Sequence, residues 1–522
     1  MFTPAEKQRR FLLFALLAAL LASGCATNPV TGRSELTLVS EQEEIGIGAK
    51  NYRPGQQASG GRYQLDPRLA AYVNEVGQKL ARVSERPQLP YEFVVLNDSV
   101  PNAWALPGGK IAVNRGLLYE LKSEAELAAV LGHEIVHAAA RHGASAMETN
   151  LVLQTGAAVI GAAAAEKRQG ELIGMAANVG AGLLGLKYGR DHELEADRYG
   201  MIYMARAGYA PEAAVALQET FVRLAGKRDA NWLAGLFSSH PPSQERVDEN
   251  RKLAATLPAG LKTGEQEYRS HVASLLKTRP AYADYDAGRK ILKENPQQAL
   301  KLANRAIAVE PREALFYGLR GDARAGMQEW REAEADYTEA IRRDGEYYAH
   351  YLQRGLARQK LGQAVEAKAD RERSIALLPT APAHHALGRM ASAEGKNDLA
   401  IRHFRAAAEA DGEIGRESSQ LLARLELPRE PGKYFSLGRS VDGNGRLVLA
   451  VRNNSPVAVR DVVVSARLAE NGWTTRWQEQ YRLRGTLRPG AVERITLPLR
   501  PADLQSGSRR FEAAVESAQA AD

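Results

Sequence analysis

The run His133-Glu134-Ile135-Val136-His137 places two imidazoles four residues apart, with a carboxylate directly after the first. On a helix, positions i and i+4 share a face, so both rings can reach one metal ion. Glu134 then lies where a general base takes a proton from an attacking water. The surrounding segment, ELAAVLGHEIVHAAA, is strongly apolar, with Leu127, Val130, Leu131, Ile135 and Val136 around the pair. Polar groups in such a helix must be paired or bound to a metal. The competing reading is two surface histidines on an ordinary helix. A hydrolytic zinc centre needs a third protein ligand and an open position. The spacing HExxHxxGxxH is excluded, because Ala140 stands at its glycine and Gly143 at its last histidine. His142 is one residue out of that register and reads as structural. The segment HELEADRYG (192–200) supplies Glu193 and Asp197, four apart on one helical face. Glu193 is the expected third ligand. Asp197, one turn on, is the expected acceptor behind a ligand imidazole. Glu195 points elsewhere and reads as a solvated charge. The chemistry expected of this set is peptide hydrolysis assisted by one zinc ion, with Glu134 as base. His240, in Ser238-Ser239-His240-Pro241-Pro242, sits on a proline-stiffened loop. It reads as a fourth ligand, as a donor to the transition state, or as a surface histidine.

These residues need a helical domain to hold them. Ser123 and Glu126 form a capping box that opens the apolar helix. YEFVVLNDS (91–99) alternates and then breaks, as a strand entering a turn does. NAWALPGGKIAV (102–113) reads as two extended segments around a Pro-Gly-Gly turn. As an exposed edge near the metal, it would pair with an extended substrate; otherwise it is an ordinary hairpin. Residues 151–188, rich in Ala and Gly, read as a closely packed helical hairpin or as a mobile lid.

Farther along, Ala299, Ala333, Ala367 and Ala400 recur at near-constant spacing, as do Ala306, Ala340, Ser374 and Ala407. Ala287, Gly321, Gly355 and Gly388 precede each unit's alanine, and Pro311, Gly345, Pro379 and Gly412 close each unit. Small residues at these points let paired helices touch, and the register resembles four tetratricopeptide repeats. Arg371 stands where units two and four carry Tyr337 and Phe404, which predicts loose packing in the third unit. Beyond them, RLVLAVRN, VVVSARL and ERITLPLR are short β-branched runs separated by Gly, Asn and Pro.

The predicted fold class is mainly α and multidomain. It comprises a signal segment (1–24), a lipid-anchored tether and leading helix (25–65), an α+β metallopeptidase domain (66–270), an α-solenoid of four repeats (280–412) and a small antiparallel β-domain, sandwich-like (430–522). Lys7, Arg9 and Arg10 precede the apolar stretch FLLFALLAALLA, which suits a signal-peptide core. Leu21-Ala22-Ser23-Gly24-Cys25 resembles the lipobox of bacterial lipoproteins, and Cys25, the only cysteine, cannot form an internal disulfide. The resemblance implies acylation at Cys25, and Ala26 favours the outer membrane facing the periplasm. The alternative is a soluble secreted protein. Of the 522 residues, 44% are hydrophobic and 25% charged, which are globular values. A net charge of +7 without a clustered basic stripe gives no reason to expect nucleic acid as a partner.

HEIVH and ELEAD, with NAWALPGGKIAV before them and SSHPPSQER after, resemble the HtpX and CAAX-prenyl-protease type of zinc metallopeptidase. The resemblance implies a gluzincin site in which Glu193 is a ligand. It also matches Arg246 to a recurrent arginine after the His-Pro loop, either assisting at the oxyanion or holding that loop by a salt bridge. Together with the lipobox and repeats, it implies an envelope endopeptidase acting on unfolded or stalled envelope proteins. The repeats would recruit substrate or the outer-membrane assembly machinery. The competing class is a periplasmic chaperone or scaffold lipoprotein whose zinc site is latent.

Overall fold

The computed structural model describes residues 25–149, 187–225, 239–470, 474–504 and 509–521. The expected signal segment and nearly all of the Ala/Gly-rich 151–188 lie outside the described residues. No helix among the described residues is long and apolar enough to cross a membrane. The chain divides into two compact units, 1–350 and 351–522.

The first unit opens with a short antiparallel ladder of Cys25–Thr27 on Ser34–Leu36. Helices α1 (Glu41–Ala58) and α2 (Pro67–Ala81) follow. A three-stranded sheet comes next, built from β1 (Glu92–Leu96), β2 (Ala103–Leu106) and β3 (Lys110–Asn114) in the order β1-β3-β2. β3 runs parallel to β1 and antiparallel to β2. The turn between β2 and β3 needs Gly108 and Gly109 at φ 75° and 84°, where a side chain would be strained. β2 is one of the two outer strands, whereas β3, the other extended segment expected at an exposed edge, is central. The four residues of β2 are nevertheless all buried, because the sheet packs on the helix that follows through Ala103 and Ala105 and on α1 through Trp104 and Leu106.

That helix, α3 (Glu124–Ala139), is buried along its whole length. Ser123 caps it by accepting from the Glu126 N–H at 3.1 Å. Glu126 does not close the capping box: its carboxylate takes the Lys122 N–H at 2.6 Å instead. α3 crosses α4 (Arg190–Arg206) at Gly132 and Gly200. A Cβ on Gly200 would lie 3.0 Å from the His133 nitrogen. Two glycines therefore let the backbones approach closely enough for side chains of both helices to meet. Helices α5 (Glu212–Ala225), α6 (Gln244–Ala254) and α7 (Glu265–Ile291) complete the domain.

α7 runs without a break through the boundary expected between residues 270 and 280. It leads into the first repeats: α8 (Pro296–Val309), α9 (Ala314–Gly326) and α10 (Trp330–Arg343). Ala306, Leu315 and Phe316 belong to the same apolar core as the sheet and α3. A buried polar junction accompanies it. Glu313 accepts from Asn97 Nδ2 at 3.1 Å and from the Tyr282 hydroxyl. Arg115 donates to Asn97 Oδ1 at 2.8 Å and lies 3.3 Å over the Tyr282 ring.

α11 (Tyr348–Lys360) spans the division between the units. The second unit continues with α12 (Ala364–Leu377), α13 (Ala381–Ala393), α14 (Asn397–Ala408) and α15 (Glu413–Glu426). The four spaced alanines, Ala299 to Ala400, are fully buried. Arg371 corrects the expectation of loose packing. Its stem lies against Gly355 as the Tyr337 and Phe404 rings lie against Gly321 and Gly388. Its guanidinium meets Gln359 and, at 3.0 Å, the Met390 sulfur. The chain then forms two three-stranded antiparallel sheets over one apolar core. One contains β4 (Phe435–Val441), β5 (Leu447–Asn453) and β8 (Val492–Thr496). The other contains β6 (Val459–Glu470), β7 (Thr474–Arg482) and β9 (Arg509–Ala520).

Candidate active site

α3 carries His133, Glu134 and His137, α4 carries Glu193 and Asp197, and the segment before α6 carries His240. All are buried. One donor atom from each of His133, His137, Glu193 and His240 lies within 4.8 Å of the others. His133 Nδ1 is 2.9 Å from Asp197 Oδ1, so its N–H donates there. His137 Nδ1 is 2.8 Å from His142 Nδ1, and His142 Nε2 is 3.2 Å from Glu195. A carboxylate only accepts. His142 therefore donates to Glu195 through Nε2 and accepts the His137 N–H at Nδ1. The Nε2 atoms of His133 and His137 are left facing each other at 3.1 Å. That approach requires a positive charge between them, a proton or a metal.

Other observations agree. One oxygen of Glu193 and one of Glu134 are buried with no hydrogen-bond partner among the described residues. Arg246 Nη1 lies 2.8 Å from that Glu193 oxygen without the angle for a hydrogen bond. Burial would lower the His133 pKa, but Glu193 and Asp197 outweigh it and lift it to about 10. Glu193 is held far below the usual carboxylate range, against its burial, by His133, His137 and His240. Burial drives His137 well below the usual imidazole value. Three buried carboxylates, Glu134, Glu193 and Asp197, thus face one guanidinium, Arg246. A divalent cation held by nitrogen and carboxylate donors fits this set, and zinc favours such ligands.

Arg246 is fully engaged. It forms a two-pronged bond to Asp197 at 2.6 and 2.7 Å and donates to the Pro241 carbonyl at 3.1 Å. It therefore fixes both the acceptor behind His133 and the loop bearing His240. His240 Nδ1 lies 3.0 Å from Glu193 Oε1 and 3.2 Å from His133 Nε2, and its Nε2 lies 3.5 Å from Glu134.

Residues 67–254 match Peptidase family M48. The mitochondrial metalloendopeptidase OMA1 of Schizosaccharomyces pombe is 32% identical over 266 residues, covering 49% of this chain and 75% of that one. The chain belongs to peptidase family M48. The beta-barrel assembly-enhancing protease of Escherichia coli is 26% identical over 267 residues, covering 50% of this chain and 54% of its own. A solved tetratricopeptide domain, the second one of Spaghetti (RPAP3) bound to an HSP90 peptide, is 34% identical and covers 20% of this chain and 98% of its own, with a TM-score of 0.19. The chain spans about half the length of the beta-barrel assembly-enhancing proteases it matches.

In this M48 chain the structure brings together every site residue expected from sequence except Cys25, which lies in the N-terminal ladder. It also gives supporting roles to three others, of which His142 was read as structural and Glu195 and Tyr188 were missed. Glu195 is no solvated charge, since it anchors His142 behind His137. His142 is out of register only with the HExxHxxGxxH spacing, and it supports His137 instead. α3 ends at Ala139, and Arg141 takes φ 63°, which swings His142 back under His137. Arg141 is held in that conformation by Glu44 at 3.1 Å. The third is Tyr188, whose ring stacks on His137 at 3.8 Å. Nothing in its sequence context marks it.

Proposed function

We propose that this chain is a zinc-dependent endopeptidase of the bacterial envelope that acts in quality control or assembly of outer-membrane proteins. The observation that carries the chemistry is the buried set of His133, His137 and Glu193, with Glu134 beside it. These three residues would hold the ion. When bound, zinc polarises the scissile carbonyl and makes water more acidic. Glu134 takes the proton from the attacking water and delivers it to the leaving amine. Burial raises the Glu134 pKa, offset in part by His240 and His133, which suits a carboxyl that must hold a proton between the two transfers. Asp197 and Arg246 keep His133 and the loop in place. β2 offers an outer strand beside α3 for an extended substrate.

His240 has two possible roles with opposite consequences. As a fourth ligand it fills the position that a substrate needs and keeps the enzyme latent. As a donor to the oxyanion it speeds turnover. What supports the first role is its Nδ1 within the donor cluster. The same observation favours a second reading, a chaperone or scaffold lipoprotein whose zinc site stays closed. Acylation at Cys25 would tether the chain to the outer membrane facing the periplasm, and the repeats would recruit unfolded envelope proteins or the outer-membrane assembly machinery. The name of the Escherichia coli relative supports that setting.

Casein cleavage by the zinc-loaded protein, abolished by chelation and restored by zinc, tests the enzyme reading. His240→Ala should raise basal cleavage and keep its zinc. A fall of roughly 10²–10³ would instead assign His240 to the oxyanion. No cleavage by either form leaves the scaffold reading.

A further inference from the structure

A cavity of about 50 Å³ adjoins the catalytic side chains. His133, Glu134 and Ala103 of β2 line it. Its lining includes the apolar Val130, Met201, Met204, Leu217 and Phe221, together with Asp197, His240 and Arg246 of the catalytic cluster. Two amides also line it, Gln218 of α5 and Asn250 of α6. Both residues are more than nine-tenths buried. Gln218 Oε1 and Asn250 Nδ2 have no hydrogen-bond partner among the described residues. A buried polar atom without a partner costs free energy, and an apolar occupant would leave both atoms unpaired. Among the described residues, the cavity thus has one acceptor and one donor without a partner, in a lining that also includes Glu134.

We propose that this cavity is a specificity pocket for a substrate residue next to the scissile bond, and that it selects a glutamine. The two methylenes of glutamine match the apolar part of that lining. Its carboxamide supplies an N–H for Gln218 and an oxygen for Asn250 at once. Leucine and methionine fill a similar volume but satisfy neither atom. Two net hydrogen bonds distinguish glutamine from leucine by roughly tenfold or more. This rests on the peptidase reading of the same site, and the test separates the two.

The zinc-loaded full chain is incubated with a proteome-derived peptide library, and the cut sites are read by mass spectrometry. Glutamine should be enriched over leucine and methionine at one position flanking the cut. Gln218→Leu with Asn250→Leu should shift that position to leucine or methionine while cleavage continues. Cleavage without that enrichment overturns the pocket and leaves the peptidase standing; a library left uncut by both wild type and His240→Ala counts against the peptidase. Binding is measured independently of turnover, on zinc-loaded Glu134→Gln protein with two peptides that differ only by glutamine or leucine at that position, each position being tried in turn if no cuts are available. Roughly tenfold tighter binding of the glutamine peptide, lost in the pocket variant, is the expected result. Equal affinities, or no binding of either peptide, overturn the proposal. Each single replacement, Gln218→Leu and Asn250→Leu, is carried alongside with its melting curve. A folded single variant that keeps the full glutamine preference also overturns it.

Discussion

Both α3 imidazoles are braced from behind, and the two braces differ in length. His133 donates directly to Asp197, whereas His137 reaches a carboxylate only through His142 and Glu195. Such supports fix the tautomer and the ring angle that a metal needs. Glu195→Ala should therefore lower zinc affinity by roughly 10- to 100-fold while the fold persists. Titration against a competing chelator reads this directly; an unchanged affinity would return Glu195 to the surface charge expected from its i+2 spacing. That His133, His137 and Glu193 come together was legible in the sequence because helical periodicity is regular and α3 and α4 are regular helices. The relay was not, because it depends on the left-handed turn at Arg141, and periodicity carries no information past a helix end.

Among the elements, the repeats show how one contact serves several residue types. Tyr337 and Phe404 fill the space over a glycine with a ring, and Arg371 does so with its stem. The small positions were legible as a repeat, but what covers them was not, because a long polar side chain can bury its methylenes. His350 at the start of α11 makes a different compromise. It is buried against Gly318 with its Nε2 unpartnered among the described residues, and burial pushes its pKa down to about 3. The unfolded chain binds that proton near pH 6.5, whereas the native state refuses it. Stability therefore holds above that value and falls as the pH drops from there toward 3, by at most about 1.4 kcal/mol per pH unit from this group. His350→Leu should flatten that dependence by up to one proton. Urea midpoints at mildly acidic and neutral pH, compared with wild type, check it; identical slopes would contradict the assignment.

For the whole molecule, the first repeats are part of the peptidase unit. Tyr282, Ala306, Leu315 and Phe316 share its core, and Glu313 is bonded to Asn97 and Tyr282, which both meet Arg115. A truncation near residue 270 would expose that core at about 1.5–3 kcal/mol for each large apolar side chain. It should aggregate, whereas a chain ending at residue 350 should stay soluble and bind zinc; a folded, monomeric shorter form on gel filtration would contradict this. The β-domain was legible as short strands between turns. The junction was not, because no local pattern announces that two charged residues, Arg115 and Glu313, will be buried. The claim on which the functional account rests is that Glu134 is the base and Glu193 a ligand of one zinc. Zinc content and peptide cleavage, measured together on wild type, Glu134→Gln and Glu193→Ala, test it most directly. The account predicts one zinc and no cleavage in Glu134→Gln, and neither zinc nor cleavage in Glu193→Ala. A Glu134→Gln protein that has lost its zinc, or still cuts, would contradict it.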